Sequence, residues 1–286
     1  MIILIILITL LIILIKKSSF TYDKSSFTYD KLSLHDITNK LYNGDKLNGY
    51  RLADIIFYPD YLTRKHKYST RDHLYTYPNT IGVQYIQRKY PFLKKIKSET
   101  DFFKFNDEYL NFENEILSNL KSIKIDIDLL NEIIEEQNDE PIKINENILF
   151  LHIRVGDVLC KYPNSNHAIL YSKKGNVKWW NSVINYIIQN NIQEVIIIAG
   201  THFKECLYDS AVYLNEIHNY LESYNLKVGY RVGNSPDQDL IFCKNAKHFI
   251  TTGGGYGYFL GKIVELNGGN FVLNKKDTIR VDRKLF

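Results

Sequence analysis

Apolar positions follow different rhythms in different parts of the chain. Residues 2–15 are apolar at every position except Thr9, and Lys16 and Lys17 close the run. Residues 107–137 place Leu110, Ile116, Leu117 and Leu120 at three- and four-residue spacing, which predicts helix. From residue 147 onward, short β-branched runs alternate with longer amphipathic stretches. Strands are predicted at residues 147–153, 194–199, 227–232, 248–252 and 270–273. Helices are predicted between them, at residues 178–189, 206–224, 238–244 and 256–266.

Strands that alternate with helices imply an α/β fold: a parallel sheet with helices on both faces. Such sheets bind ligands beyond the carboxyl ends of their strands. The first half reads differently. It is aromatic and charged, and Asn138-Asp-Glu-Pro141 breaks its last helical pattern, so Pro141 marks a boundary.

The N-terminal run is shorter than the roughly 20 apolar residues of a typical spanning helix. A signal peptide would carry a basic start and a small-residue cleavage site. Neither is present, so the expectation is an uncleaved single-pass anchor at residues 1–17 that holds the protein at a membrane. Lys16 and Lys17 favour a cytosolic body by charge, but two residues do not fix the side of the membrane. Next come two perfect copies of Ser-Ser-Phe-Thr-Tyr-Asp-Lys, at residues 18–24 and 25–31. Two copies are too few for a solenoid. They read as a duplication in a tolerant stem, residues 18–32.

Composition narrows the classes. The 286 residues are 45% hydrophobic and 24% charged, enough for a substantial core. The net charge of +4 comes without a basic block interleaved with aromatics, so a nucleic-acid partner is not expected. Cys160, Cys206 and Cys243 form no Cys-x-x-Cys pair and predict neither a zinc site nor a disulfide framework. They read as buried free thiols, and no metal site is expected.

Chemistry concentrates in two motifs. His152-Ile-Arg154-Val-Gly156-Asp157 ends the first predicted strand. Alternation puts His152 and Arg154 on one face. Arginine suits a diphosphate, because its planar fork binds two oxygens and its charge persists. In glycosyl transfer, charge grows on the leaving diphosphate, so a fixed cation favours the transition state. Gly156 allows a close turn, and Asp157 can orient Arg154. The competing reading is a plain strand-end ion pair between Arg154 and Asp157.

The second motif is Thr251-Thr-Gly-Gly-Gly-Tyr-Gly257, at a predicted strand-to-helix turn. Glycines there expose amide N–H groups, and the helix N-terminus adds partial positive charge. It matches neither the P-loop nor the dinucleotide fingerprint. Without a partner motif it would be only a flexible turn. Between the motifs, Asp237 and Asp239 precede a predicted helix, where they either favour its dipole or bind a ribose or purine edge.

His-x-Arg-x-Gly-Asp resembles the signature of the α1,2-, α1,6- and protein O-fucosyltransferase superfamily. The later stretch is similar too: Asp237 and Asp239, then Cys243-Lys, then Ile250-Thr-Thr before a turn and helix. The resemblance covers about the last 140 residues. It implies a GT-B-like fold with two Rossmann-like halves: residues 33–145 on the acceptor side and residues 146–286 binding the nucleotide sugar. It implies metal-free, inverting transfer, GDP-fucose as donor and a glycan or protein as acceptor. Arg154 and Asp157 would be catalytic. His152, Gly156, Asp237, Asp239, Thr251, Thr252, Gly253 and Gly254 would bind substrate. The chain departs from the family at Val155, where many relatives carry a second arginine, and at the triple glycine, where the α1,2 group has serines.

An inverting transfer also needs a general base. Asp54, Asp60, His66, Asp72 and His73 qualify by residue type alone. Trp179 or Trp180 could stack on a sugar, though a helix would turn at least one inward. Other readings remain open: another transferase such as a pyruvyl transferase, or a membrane-anchored binding protein on a degenerate transferase fold.

Overall fold

The computed structural model describes residues 28–42, 56, 72–119, 124–137, 146–160, 177–201 and 204–272. The expected anchor, the first repeat copy and the candidate bases Asp54, Asp60 and His66 lie outside the described residues. Among the described residues, no helix is long and apolar enough to cross a membrane.

The second half is the α/β unit that its periodicity predicts. Five parallel strands, β1 (Ile148–His152), β2 (Glu194–Ala199), β3 (Lys227–Val232), β4 (His248–Thr251) and β5 (Asn270–Val272), stand in the order β3-β2-β1-β4-β5. Predicted and observed ends agree to within about a residue for each of them. Alternation sorts the side chains of β1. Leu149, Leu151 and Ile153 enter one apolar cluster, and Phe150 enters the cluster on the opposite face. Each fully buried aliphatic side chain contributes about 1.5–3 kcal/mol relative to an exposed one.

Helices cover both faces. On the Leu149 side lie α1 (Leu34–Leu41), α8 (Val177–Gln189) and α9 (Leu207–Glu222), whose apolar stripes supply Ile37, Val183, Leu214 and Ile217 to the cluster. On the Phe150 side lie α3 (Ile81–Lys89), α6 (Ile127–Gln137), α10 (Pro236–Cys243) and α11 (Gly255–Leu266), which bury Tyr85, Ile133, Leu240 and Leu260. Residues 33–145 and 146–286 therefore share one core. A satellite cluster joins α3 to the short α2 (His73–Thr76), to the 3₁₀ turn Pro91–Lys95 and to α5 (Asn106–Asn119). Two single-turn helices, α4 (Asp101–Lys104) and α7 (Asp157–Cys160), complete the described elements.

Among the described residues the first half adds helices to this sheet and no sheet of its own. The helical stretch expected over residues 107–137 is two helices, α5 and α6. Asp126 explains the second start: its carboxylate accepts from Leu129 N at 3.1 Å, while its own N–H donates to Tyr85 Oη at 2.9 Å. Helix α10 begins ahead of its predicted start because Ser235 and Gln238 form a reciprocal capping box with Pro236 in the first turn.

Two other expectations change. Cys206 is disulfide-bonded and Cys243 is a buried free thiol, so the three cysteines are not all free. An odd count leaves room for one bridge beside a lone thiol, and the sequence pattern could not show that. The stem reading fails for Thr28–Lys31, part of the second repeat copy. Thr28 pairs antiparallel with Tyr230 on β3, and Lys31 reaches Glu222 at 3.2 Å. Of the tryptophans, Trp179 is core, and Trp180 packs edge-on against it with centroids 4.6 Å apart.

Helix α10 is tied to the sheet by a buried ion pair. Arg231 Nε on β3 donates to Asp239 at 2.8 Å, Nη2 donates to Gln238 O at 2.9 Å, and the guanidinium lies 4.2 Å from the Phe242 ring centroid. Removing one partner leaves an uncompensated charge inside the protein. Arg231→Met should therefore cost about 3–5 kcal/mol at pH 8. Arg231→Met/Asp239→Leu should recover a large part of it, because two apolar groups need no partner. Urea unfolding of the three proteins measures both values.

Candidate functional site

Strand order reverses at β1. The chain leaves β1 toward β2 on one side and later lays β4 on the other. Connections that diverge in this way open a crevice at the carboxyl ends of the two strands. Both sequence motifs end at that crevice: residues 152–157 follow β1, and residues 251–255 join β4 to α11.

The strand ends are stitched together. Thr252 N donates to His152 O at 3.0 Å, and Arg154 N donates to Thr252 Oγ1 at 2.9 Å. His152 Nδ1 lies 3.0 Å from Thr251 Oγ1, which also accepts from Gly253 N at 3.1 Å. His152 and Arg154 both lie on the α11 side, as strand alternation predicts. His152 is buried. Burial, with the Arg154 charge adding to it, pushes its imidazole down to about 4, so the ring is neutral at pH 7.

Gly254 stands at the cap position just before α11; it has no side chain and leaves the first turn without a side-chain cap. Uncapped N–H groups and the helix dipole favour an anion there. Gly254 has φ +86°, and a Cβ on it would lie 2.9 Å from Arg154 Cδ. Glycine thus lets the arginine stem lie across the helix start. The Arg154 side chain is about one-third exposed, and its Nη2 is 3.5 Å from Asp157 Oδ1. That separation is a loose ion pair, and the guanidinium keeps a face toward solvent. The strand-end pair and a cation available to a ligand coexist.

Two residues outside the predicted set hold this arrangement. Ser210, fully buried on α9, accepts from Gly156 N at 3.1 Å and donates to Cys206 O at 2.6 Å, pinning the turn after Arg154. Gly156 takes φ +84° in that turn. Nothing in the sequence singles out Ser210. Tyr256 sets its ring edge-on to His152, centroids 5.8 Å apart, and donates to Pro236 O at 2.6 Å. It joins the starts of α10 and α11 to the end of β1. Its place as the one aromatic in a glycine run was the available signal.

The two acidic candidates are engaged elsewhere in the protein. Asp239 pairs with Arg231; burial raises its carboxyl to about 6 against the pull of that cation. Asp237 accepts from Ile81 N at 3.0 Å and so caps α3, whose own Thr80 provides no side-chain cap. It serves the dipole of a helix in the other half of the chain. The structure brings His152, Arg154, Gly156, Asp157, Thr251, Thr252, Gly253 and Gly254 together and places Asp237 and Asp239 in supporting contacts. Val155 is buried in the apolar core. Of the candidate bases within the described residues, His73 is buried with its ring 4.9 Å from Tyr77, and Asp72 precedes α2. Among the described residues, no group of three or more His, Cys, Asp or Glu side chains is placed to hold a metal ion.

Comparison of the chain with protein-family models, with curated proteins and with solved structures finds no match.

Asp237 makes a pH prediction. Burial raises its carboxyl from 3.8 to about 6, opposed by the Ile81 N–H. The folded state therefore holds this proton more tightly than the unfolded chain. The group's favourable contribution is present below about pH 4 and is lost as pH rises toward 6. Asp237→Asn keeps an acceptor for Ile81 and cannot ionise. Its melting temperature should match that of the parent near pH 4 and exceed it by about 2–4 °C above pH 7. A difference that does not vary with pH would contradict this assignment.

Proposed function

We propose that the chain is a glycosyltransferase built on a single α/β sheet, with its nucleotide-sugar site in residues 146–286. The observation that carries the reading is Arg154 lying across the uncapped, glycine-rich start of α11 at the strand-order reversal. A nucleoside diphosphate is the ligand class this charge arrangement suits: a fork-shaped cation from one strand end and free amide donors from the other. In this reading Arg154 binds the β-phosphate, and its attraction grows as the sugar bond breaks and charge collects there.

The other residues take roles around it. Asp157 steers the guanidinium at 3.5 Å. Thr252 fixes the backbone of Arg154, while Thr251 and neutral His152 brace the turn whose glycines face the phosphates. The donor proposed is GDP-fucose, on the resemblance of the His152–Asp157 motif. The acceptor, a glycan or protein, would approach from the side of the N-terminal helices. Residues 1–17 would hold the enzyme at a membrane, and transfer would proceed with inversion and without a metal ion. A binding protein on the same scaffold is the second reading. It is favoured by Val155, which turns into the apolar core at the position where many members of the resembled family carry a second arginine.

Calorimetry with GDP, UDP, CDP and ADP tests the proposal. One of them should bind, and Arg154→Ala should weaken that binding by about 100-fold or more, equivalent to about 2.7 kcal/mol, with the melting temperature unchanged. No binding by the wild type to any of the four would sink the transferase reading. Binding without hydrolysis or transfer of the matching nucleotide sugars would select the binding-protein reading. Transfer abolished by EDTA would remove the metal-free mechanism.

A further inference from the structure

Residues 28–31 lie along the outer edge of β3, and one buried histidine stands behind their contacts. Thr28 N donates to Tyr230 O at 3.0 Å, and Tyr230 N donates to Thr28 O at 2.8 Å, the exchange of an antiparallel pair. The Tyr29 hydroxyl donates to Glu194, and Lys227 Nζ sits 3.6 Å from the Tyr29 ring centroid. Lys31 Nζ donates to Glu222 Oε2 at 3.2 Å. The other oxygen of that carboxylate, Oε1, lies 3.2 Å from Nε2 of His218, one turn earlier on α9. His218 is 1% exposed, and its ring stacks on Tyr230 with centroids 4.8 Å apart and planes 10° from parallel. Its Nδ1 has no hydrogen-bond partner among the described residues. His218 therefore touches two of the residues that fasten the segment, Tyr230 and Glu222.

We propose that His218 is an acid-operated latch: on taking up a proton it gives up its place against Tyr230 and releases residues 28–31 from the β3 edge. A neutral ring can keep its one N–H on Nε2, toward Glu222, and leave Nδ1 as an unused acceptor. A protonated ring has an N–H on both nitrogens, and the one on Nδ1 is then a charged donor buried without an acceptor. Turning the ring toward water meets that need and removes the stack from Tyr230. Charge acts in the same direction. The imidazolium attracts Glu222 and repels Lys31, so it draws the carboxylate away from its partner in the segment. The groups facing His218 are Glu222 on its own helix, Lys31 on the segment and the Tyr230 phenol on β3, which burial keeps protonated. Helix α1 adds Ile37 and Leu41 to the core it shares with α9, and its charged residues Asp36 and Lys40, with His35, are exposed. Burial pushes the His218 imidazole below its usual 6.5, with Lys31 adding to the effect and Glu222 pulling the other way. The open form thus holds the proton more tightly. Closure is favoured above about pH 6.5 and loses ground as pH falls below it. Release bares the N–H and C=O of Tyr230 at a strand edge, where another extended chain can pair.

Hydrogen exchange of the full-length chain tests the latch, read at single amides and corrected for the intrinsic pH dependence of exchange. One proton changes an opening equilibrium by at most about tenfold per pH unit. Protection at Thr28 N and Tyr230 N should therefore fall by about tenfold or more between about pH 7.5 and pH 5. The amides of β1 and β2 should keep theirs. His218→Phe retains a ring against Tyr230 and cannot take up a proton, so its protection at Thr28 and Tyr230 should stay constant over the same range. In wild type, the His218 ring followed by NMR should titrate with the same midpoint as the loss of protection, a readout that does not need the variant to fold. Constant protection in wild type would overturn the latch, as would an equal fall in His218→Phe or a His218 midpoint apart from that of the segment. Loss of protection in β1 and β2 at the same pH would show general acid unfolding and overturn it too.

Discussion

Because the chain leaves β1 toward β2 and later sets β4 on its other side, the loops after β1 and β4 diverge, and the sheet itself cannot fill the cleft between them. The strand ends on the two sides of the reversal are held by side chains. Backbone groups at the strand ends would lack partners if the strands splayed. Instead Thr252 closes the seam from both directions, its N–H to His152 O and its Oγ1 to Arg154 N. A side chain thus continues the ladder past the point where the strands stop pairing. It leaves Arg154 on fixed backbone with a partly exposed guanidinium.

Beneath these strand ends His152 and Thr251 partner each other, and the Tyr256 hydroxyl donates to Pro236 O. His152, Thr251 and Tyr256 sit against Gly257, where a Cβ would lie 2.2 Å from Thr251 Oγ1 and 2.5 Å from His152 Nδ1. The glycine is a packing requirement, since α11 must come that close for its first turn to meet Arg154. A buried neutral histidine costs less than a buried imidazolium, and the nearby arginine charge acts in the same direction as burial. Among the described residues of the site the positive charge is carried by Arg154, and the neutral histidine serves as structure.

Much of this was legible from residues alone. The strands were predicted because parallel strands covered on both faces read as short β-branched runs, such as Glu194–Ala199. The Arg154 and Gly254 turns could be placed together because alternation and strand-end position are local properties. What escaped depends on distance in space. Asp237 looked like a residue for its own helix or for a ribose, yet it caps α3, 156 positions away in sequence. Asp239 meets Arg231 on β3, and only the folded backbone brings that pair out of water together. Ser210 carried no signal because a serine inside an amphipathic helix resembles any other. The disulfide at Cys206 escaped because cysteine spacing speaks to frameworks and metal sites, not to a single bridge.

The Asp237 cap also bears on how the two halves of the chain act together. Helix α3 buries Ile81 and Tyr85 against the sheet-side core and Val83 and Ile86 in the satellite cluster, so it belongs to both. Its first N–H is bound by a carboxylate from α10, and α10 is held to α11 by Tyr256 and to β3 by Arg231. A displacement of α11 on anion binding would therefore pass to α10 and then to α3 through directional bonds, without needing the apolar core to deform. Packed apolar faces resist small continuous shifts, whereas a hydrogen bond to a helix N-terminus can tilt. Contacts of this second kind run from the start of α11 to the N-terminal helices beside the apolar cluster that they share. The start of α11 and the start of α3 are thus joined through α10 by hydrogen bonds as well as by packing.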